Sequence, residues 1–280
     1  MRHKEETLLG FEGRELFYQS WKPGGAPRAV IAIVHGGAEH SGHYSFLVNH
    51  FLERGFALAG LDLRGHGRSK GRRGHVMDWN EMRGDLDCYL SRVQEEFLGT
   101  PVFLFGHSSG GTIVFDHSLH RSPALSGVIL SGAGIRAPNA SPILLTMAKA
   151  LSILWPTLSF SNRLDFATIN RDPRVVEGYL NDPLVLSTAS LRYGIEWIKS
   201  IHWVQNHISD WKLPLLMLYG SEEVFCSIED IKKFFADVGC EDKELIIYED
   251  GYHQTHSDLQ KEQVFSDIDK WIDARLSGVT

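Results

Sequence analysis

The sequence predicts an α/β protein with a mostly parallel central sheet flanked by helices. Three observations carry that expectation. Short runs of strand type alternate with helical stretches; several runs are apolar at nearly every position, as strands covered on both faces must be; and glycine-rich turns follow directly on two of the strands. A chain of 280 residues can form one large domain of this class or two small ones, and it can bury about three quarters of its extended surface. Hydrophobic content of 43% and charged content of 22% are ordinary for a globular protein.

Taken in order, Glu15 to Trp21 and Arg28 to Val34 are β-type runs separated by a Pro- and Gly-rich turn, and they read as a hairpin. Tyr44 to Arg54 has helical spacing, and after Gly55 a buried strand runs from Phe56 to Leu61. Met77 to Leu98 reads as a long amphipathic helix with Asp78 as N-cap. Val102 to Phe105 is a strand, Thr112 to Leu119 a helix, and Leu125 to Leu130 another strand. Leu213 to Tyr219 and Glu244 to Tyr248 complete the strands, each with a helix behind it, Ile228 to Asp237 and Gln260 to Leu276. Between about 135 and 206 the alternation stops. That stretch opens on an apolar helix, Ser141 to Trp155, and continues with Pro, Asn and Asp breaks, so it is expected as a helical cap dividing the core into 1–134 and 207–280. The helix is too short to span a bilayer; its apolar excess suits either an acyl-binding pocket or a membrane surface.

Several classes of function are excluded or disfavoured. A net charge of −7 without a basic stripe argues against nucleic acid as a partner. Residues 1–18 hold no apolar core of signal-peptide length, and Cys88, Cys226 and Cys240 are too few for a disulfide framework, so the expected location is cytoplasmic. Oligomeric state is not legible.

The stretch that carries chemistry is Gly106-His107-Ser108-Ser109-Gly110-Gly111, between a strand and a helix. This is the context of a nucleophile elbow, in which the serine occupies a strained turn and flanking glycines admit the neighbouring backbone. A serine hydroxyl needs a base, and the base needs a carboxylate to orient it. Of 14 histidines, His253 follows the last strand and is the expected base, with His256 its rival. Glu223, after the preceding strand, is the expected acid, with Glu222 the alternative. The backbone N–H groups of Ser109 and Gly37 are the expected oxyanion donors. His35, Glu39, His40 and His43 have the look of zinc ligands, but Gly36-Gly37 directly after a buried strand is better explained by close approach of backbone to an acyl oxygen. The turn from Asp62 to Ser69 is expected to shape the rim. Neither metal nor organic cofactor is required.

The motifs HGGAEHSGHY, DLRGHGRSKG, GHSSGG and YHQTH, with the capped insertion, resemble the α/β-hydrolase family of monoacylglycerol lipases and lysophospholipases over nearly the whole chain. The resemblance implies a serine hydrolase that releases a fatty acid from a monoacylglycerol or similar lipid, with an acyl tunnel beneath the cap. It also implies a polar end for the alcohol built from Glu39, His43, Tyr179 and His256. Three positions depart from the family: Glu223 stands where aspartate is usual, His43 where arginine is usual, and Ser109 where methionine is frequent. Lysophospholipids, small esters and amides are the alternative substrates, and a hydrolase-fold binding protein with little turnover is the alternative of another class.

Overall fold

The computed structural model describes residues 2–161 and 164–277. The chain begins with β1 (Arg2–Leu9), β2 (Glu15–Lys22) and β3 (Val30–Val34), followed by α1 (Ser45–Glu53), β4 (Ala57–Leu61) and α2 (Asn80–Glu96). The elbow region is β5 (Val102–His107), α3 (Ser109–Arg121) and β6 (Gly127–Ser131). Then come α4 (Pro142–Leu154), β7 (Ser159–Ser161), α5 (Pro173–Asn181), β8 (Thr188–Ser190) and α6 (Leu191–His207). The chain closes with β9 (Leu215–Gly220), α7 (Ile228–Asp237), β10 (Lys243–Tyr248) and α8 (Lys261–Leu276). Asp78 lies just outside α2, where its Oδ1 accepts from the Asn80 N–H at 2.8 Å.

Eight strands form one sheet in the order β1-β2-β4-β3-β5-β6-β9-β10, parallel from β4 to β10 and antiparallel at the β1-β2-β4 edge. The expected hairpin of β2 with β3 is therefore wrong. β3 is apolar on both faces and fully buried, so it takes parallel neighbours on each side, β4 and β5. β2 instead pairs with β1, a strand of largely charged and exposed residues that shows no alternating apolar signal. Alternate residues of the inner strands feed two cores. Val30, Ala32 and Val34 pack toward α2, α3 and α7, while Ile31 and Ile33 pack toward α1 and α8.

Between β6 and β9 no strand among the described residues joins the main sheet. Within this stretch α6 packs along α3, where Trp197 Nε1 donates to Thr112 Oγ1 at 3.0 Å and Ser200 Oγ donates to Asp116 Oδ2 at 3.1 Å. Other contacts tie the stretch to loops at the carboxyl ends of the strands: the Leu186 N–H to Ala38 O, the Gln254 N–H to Ile169 O, and Arg171 to Asp258. Helix α4, capped by the Ser141 side chain, leaves most of its apolar residues in solvent. Among the described residues no helix is long and apolar enough to cross a membrane.

The loops at that end of the sheet are held by buried polar side chains. Asp62 accepts at Oδ1 from the Ser41 N–H and hydroxyl and at Oδ2 from the Arg68 N–H, so it joins the loop after β3 to the loop after β4. His35 Nε2 accepts from the Leu63 N–H at 2.8 Å, which fixes the proton on Nδ1, and Nδ1 donates to Gly36 O. His66 Nδ1 donates to Arg64 O, and His107 Nδ1 donates to Ser131 O at 2.7 Å. Burial drives His66 down to about 3, helped by the His35 imidazole, and drives His107 down to about 4. Both are therefore neutral in the fold at neutral pH.

An unfolded histidine titrates near about 6.5. Below that pH the unfolded chain binds protons that His66 and His107 refuse in the folded state. Their contribution is complete above about pH 6.5 and is lost as pH falls toward 4 and then 3. Each such histidine steepens the loss by about 1.4 kcal/mol per pH unit. Thermal melts from pH 7 to 4.5 should show stability falling before most carboxylates titrate. In His66→Gln the slope should be shallower by about one proton. An unaltered slope in that variant would contradict the assignment of this acid sensitivity to buried neutral imidazole.

Candidate active site

The site is assembled where β3, β5, β6, β9 and β10 end. Ser108 lies between β5 and α3 with φ 50° and ψ −123°, a left-handed conformation that costs about 1–2 kcal/mol for a residue with a Cβ. The surrounding backbone holds it there. Its N–H donates to Ser131 O at 3.1 Å, and its carbonyl accepts from the N–H groups of Gly111, Thr112 and Gly134. The flanking glycines are required by approach. A Cβ on Gly106 would lie 3.0 Å from Gly111 Cα, and one on Gly110 would run into the carbonyls of Val34 and His35. The elbow is thus wedged between its own helix and the end of β3.

His253, in the loop after β10, is brought against the end of β6 by Gly132. That glycine has φ +55°, and a Cβ there would sit 2.6 Å from His253 O. His253 Nδ1 donates to Glu223 Oε2 at 2.7 Å, and Glu223 Oε1 accepts from the Phe225 N–H at 3.0 Å. Burial by itself would raise the Glu223 carboxyl, but the charge and hydrogen bond of His253 outweigh it and hold the group below its ordinary value. Glu222 is exposed and faces Ser221. Ser108, Ser109, Gly37, Glu223 and His253 all line one cavity of about 290 Å³, whose remaining wall is mostly apolar, from Ala133 and Ile135 to Leu164, Trp197 and Phe225.

A smaller recess of about 30 Å³ also meets Ser108, and Glu39 and Tyr179 line it. Glu39 is 2% exposed and accepts from the Gly36 N–H, from the Tyr44 hydroxyl at 2.6 Å and from the Tyr179 hydroxyl, which in turn accepts from Gln254 Nε2 at 2.8 Å. Burial would raise this carboxyl. The imidazoles of His107, His43, His256 and His35 around it hold it far below the carboxylate range. His43 and His256 lie behind the recess lining. His43 packs on Tyr179 with ring centres 4.1 Å apart, and His256 stacks on Tyr44 at 4.9 Å with its Nδ1 bonded to Ser131 Oγ.

Of the four residues with the look of zinc ligands, His35 and Glu39 are engaged with protein groups as described. Among the described residues one set of three converges as a metal site would, His40, His43 and Asp182. Both imidazoles donate from Nε2 to the same Asp182 Oδ2, at 2.9 and 3.0 Å, and His40 Nδ1 accepts from the Gly42 N–H. The His40 proton is thus fixed on Nε2, the atom that would have to bind the ion, so the three side chains form a hydrogen-bonded clasp between the loop after β3 and the loop after α5.

Residues the sequence reading passed over include His107, Gly132, Tyr44, Asp182 and Gln254. Gly132 carries a signal, a glycine directly after a buried strand, of the kind that marked Gly36-Gly37. Gln254, within the YHQTH motif, and Asp182 give no local sign of the roles they take, because their partners are distant in the chain.

Comparison with known proteins identifies the family. The family model described as serine aminopeptidase S33 matches residues 25–260. The chain is 31% identical to the monoglyceride lipase of Rattus norvegicus, covering 96% of this chain and 90% of that one. It is 31% identical to the monoacylglycerol lipase of Mycolicibacterium smegmatis, over 97% and 98%. Its structure resembles that of Paleococcus ferrophilus monoacylglycerol lipase with a TM-score of 0.82 and 30% identity, covering 93% of this chain and 99% of that one. The chain belongs to the α/β-hydrolase superfamily, in the serine aminopeptidase S33 family alongside the monoacylglycerol lipases, and is a serine ester hydrolase.

Proposed function

We propose that the chain hydrolyses monoacylglycerols through an acyl-enzyme on Ser108. The observation that carries this reading is the 2.7 Å bond from His253 Nδ1 to Glu223 beside a serine held at positive φ on an apolar cavity. Ser108 Oγ attacks the ester carbonyl as His253 Nε2 takes its proton. The negative charge on the carbonyl oxygen is met by the Gly37 and Ser109 N–H groups. His253 then gives the proton to the glycerol oxygen as the C–O bond breaks. Water, deprotonated by His253, attacks the acyl-enzyme; His253 then returns that proton to Ser108 Oγ as the acyl–Oγ bond breaks and the fatty acid leaves. Glu223 keeps the imidazole in the tautomer with Nδ1–H and stabilises the imidazolium.

The acyl chain occupies the 290 Å³ apolar cavity, and the glycerol end lies toward Glu39 and Tyr179. An ionised Glu39 accepts hydrogen bonds from glycerol hydroxyls and repels the phosphate of a lysophospholipid, which favours the neutral head group. His43 and His256 position Tyr179 and Tyr44 from behind rather than touch substrate.

Residues 135–206 act as a cap whose outer face meets the lipid surface that supplies substrate. Ile153 is 70% exposed, Leu154 82% and Trp155 60%, a contiguous apolar end of α4 of the kind that inserts at an interface.

Ser108→Ala should lower release of oleate from monooleoylglycerol by about 10⁶-fold, and Glu223→Gln by about 10⁴-fold with folding intact. A fluorophosphonate should add its mass to Ser108 in the wild type. Retained turnover in Ser108→Ala would end the mechanism. For the cap, a triple variant with Ile153, Leu154 and Trp155 each changed to Ser should sediment with phosphatidylcholine vesicles about tenfold less. Its turnover of water-soluble p-nitrophenyl butyrate should stay unchanged. Equal partitioning of variant and wild type would remove the membrane role.

A further inference from the structure

Helices α3 and α6 face one another along a ladder of polar pairs. On α3 the positions are Ser109, Thr112 and Asp116; on α6 they are Tyr193, Trp197 and Ser200, both sets at helical spacing on one face. Two rungs are closed, Trp197 to Thr112 at 3.0 Å and Ser200 to Asp116 at 3.1 Å. The rung nearest the reacting serine reaches no third group. Ser109 is 4% exposed and Tyr193 7%, and among the described residues neither hydroxyl has a hydrogen-bond partner beyond the other of the two. The two hydroxyls lie within hydrogen-bonding reach of one another: burial raises the Tyr193 hydroxyl, and the interaction with the Ser109 hydroxyl acts in the opposite direction. Both residues line the cavity that also holds Ser108, and Ser109 Oγ lies 3.3 Å from where a Cβ on Gly37 would stand.

A mostly apolar cavity thus carries, close to the scissile bond, a pair of hydroxyls with no partner but each other. A plain acyl chain threaded past them strips whatever water satisfies them and offers nothing in return, which is the costly way to bury a hydroxyl. An oxygen on the acyl chain a few bonds from the carbonyl would close the rung, accepting from one hydroxyl and donating to the other.

We propose that Ser109 and Tyr193 form a polar acyl subsite that selects esters of 3-hydroxy fatty acids over the unsubstituted acids. The subsite rests on the reading of Ser108 as nucleophile and of the large cavity as the acyl side. It adds a preference that the apolar lining by itself would oppose, since such a wall gains nothing from an added hydroxyl.

The test is the ratio of kcat/KM for glycerol 1-mono-3-hydroxydecanoate, each enantiomer separately, to that for glycerol 1-monodecanoate. Wild type should favour one hydroxydecanoyl enantiomer by about tenfold, and Tyr193→Phe and Ser109→Ala should each bring the ratio toward one. Both variants remove a single oxygen, so a loss of fold is read separately from a thermal melt, and the ratio is taken within each variant. A ratio that is the same in wild type and in both variants overturns the subsite. If decanoate is still released and Ser108 still takes a fluorophosphonate, the hydrolase reading stands without it. If no ester is cleaved and Ser108 takes no label, the two fall together.

Discussion

Everything at the site depends on one constraint, the left-handed backbone of Ser108. A serine does not adopt that conformation on its own. It is imposed from outside, by the Ser131 carbonyl taking its N–H and by the Gly111, Thr112 and Gly134 N–H groups converging on its carbonyl. Those partners belong to α3 and to the end of β6, so the hydroxyl's position is set by how helix and strands pack. Gly106, Gly110 and Gly132 are where that packing becomes closest, and each permits an approach that a methyl group would block. The strain is local and the restraint is distributed, which is how a small energetic cost at one residue can be held by a whole sheet.

The same end of the sheet concentrates histidines, and they serve different purposes according to what their nitrogens touch. His35, His66 and His107 donate to backbone carbonyls and are buried neutral. His40 and His43 converge on Asp182 and link two loops, whereas His253 alone pairs with a carboxylate on the cavity that Ser108 lines. Composition cannot separate these roles. The second nitrogen and its partner do.

That contrast explains what was legible in the chain. Alternating strands and helices, and glycines flanking Ser108, are local features, so the fold class and the elbow could be read from short windows. β1 could not, since Arg2 to Thr7 carries charges rather than an apolar alternation and becomes a strand only by pairing with β2. The supposed β2–β3 hairpin failed for the related reason that turn residues say where a chain reverses and not which strand it will lie beside. Glu223 and Glu222 are indistinguishable in sequence; only the fold sends one toward His253 and the other to solvent. Tyr179, and His256 as part of the alcohol end rather than as a rival base, entered through family resemblance, and nothing in their own neighbourhoods would have joined them to Glu39 or Tyr44.

Glutamate at position 223 poses a physical question, because its extra methylene gives the carboxylate more freedom than aspartate would have. Here that freedom is removed. One oxygen is fixed by the Phe225 N–H two residues along its own loop and the other by His253 Nδ1, and the side chain is 1% exposed. With both oxygens bonded, the longer arm is as constrained as a shorter one, and the loop carrying it is seated where Gly220 lets the Gly251 backbone come close. A carboxylate held this way has no rotamer to lose on charging the imidazole, so the substitution is compatible with orientation of the base. The departure at 223 is therefore absorbed within its own loop. The departure at 109 is not: it exchanges an apolar wall for a hydroxyl that finds no partner among the described residues beyond the Tyr193 hydroxyl, and the two changes have opposite meanings for the site.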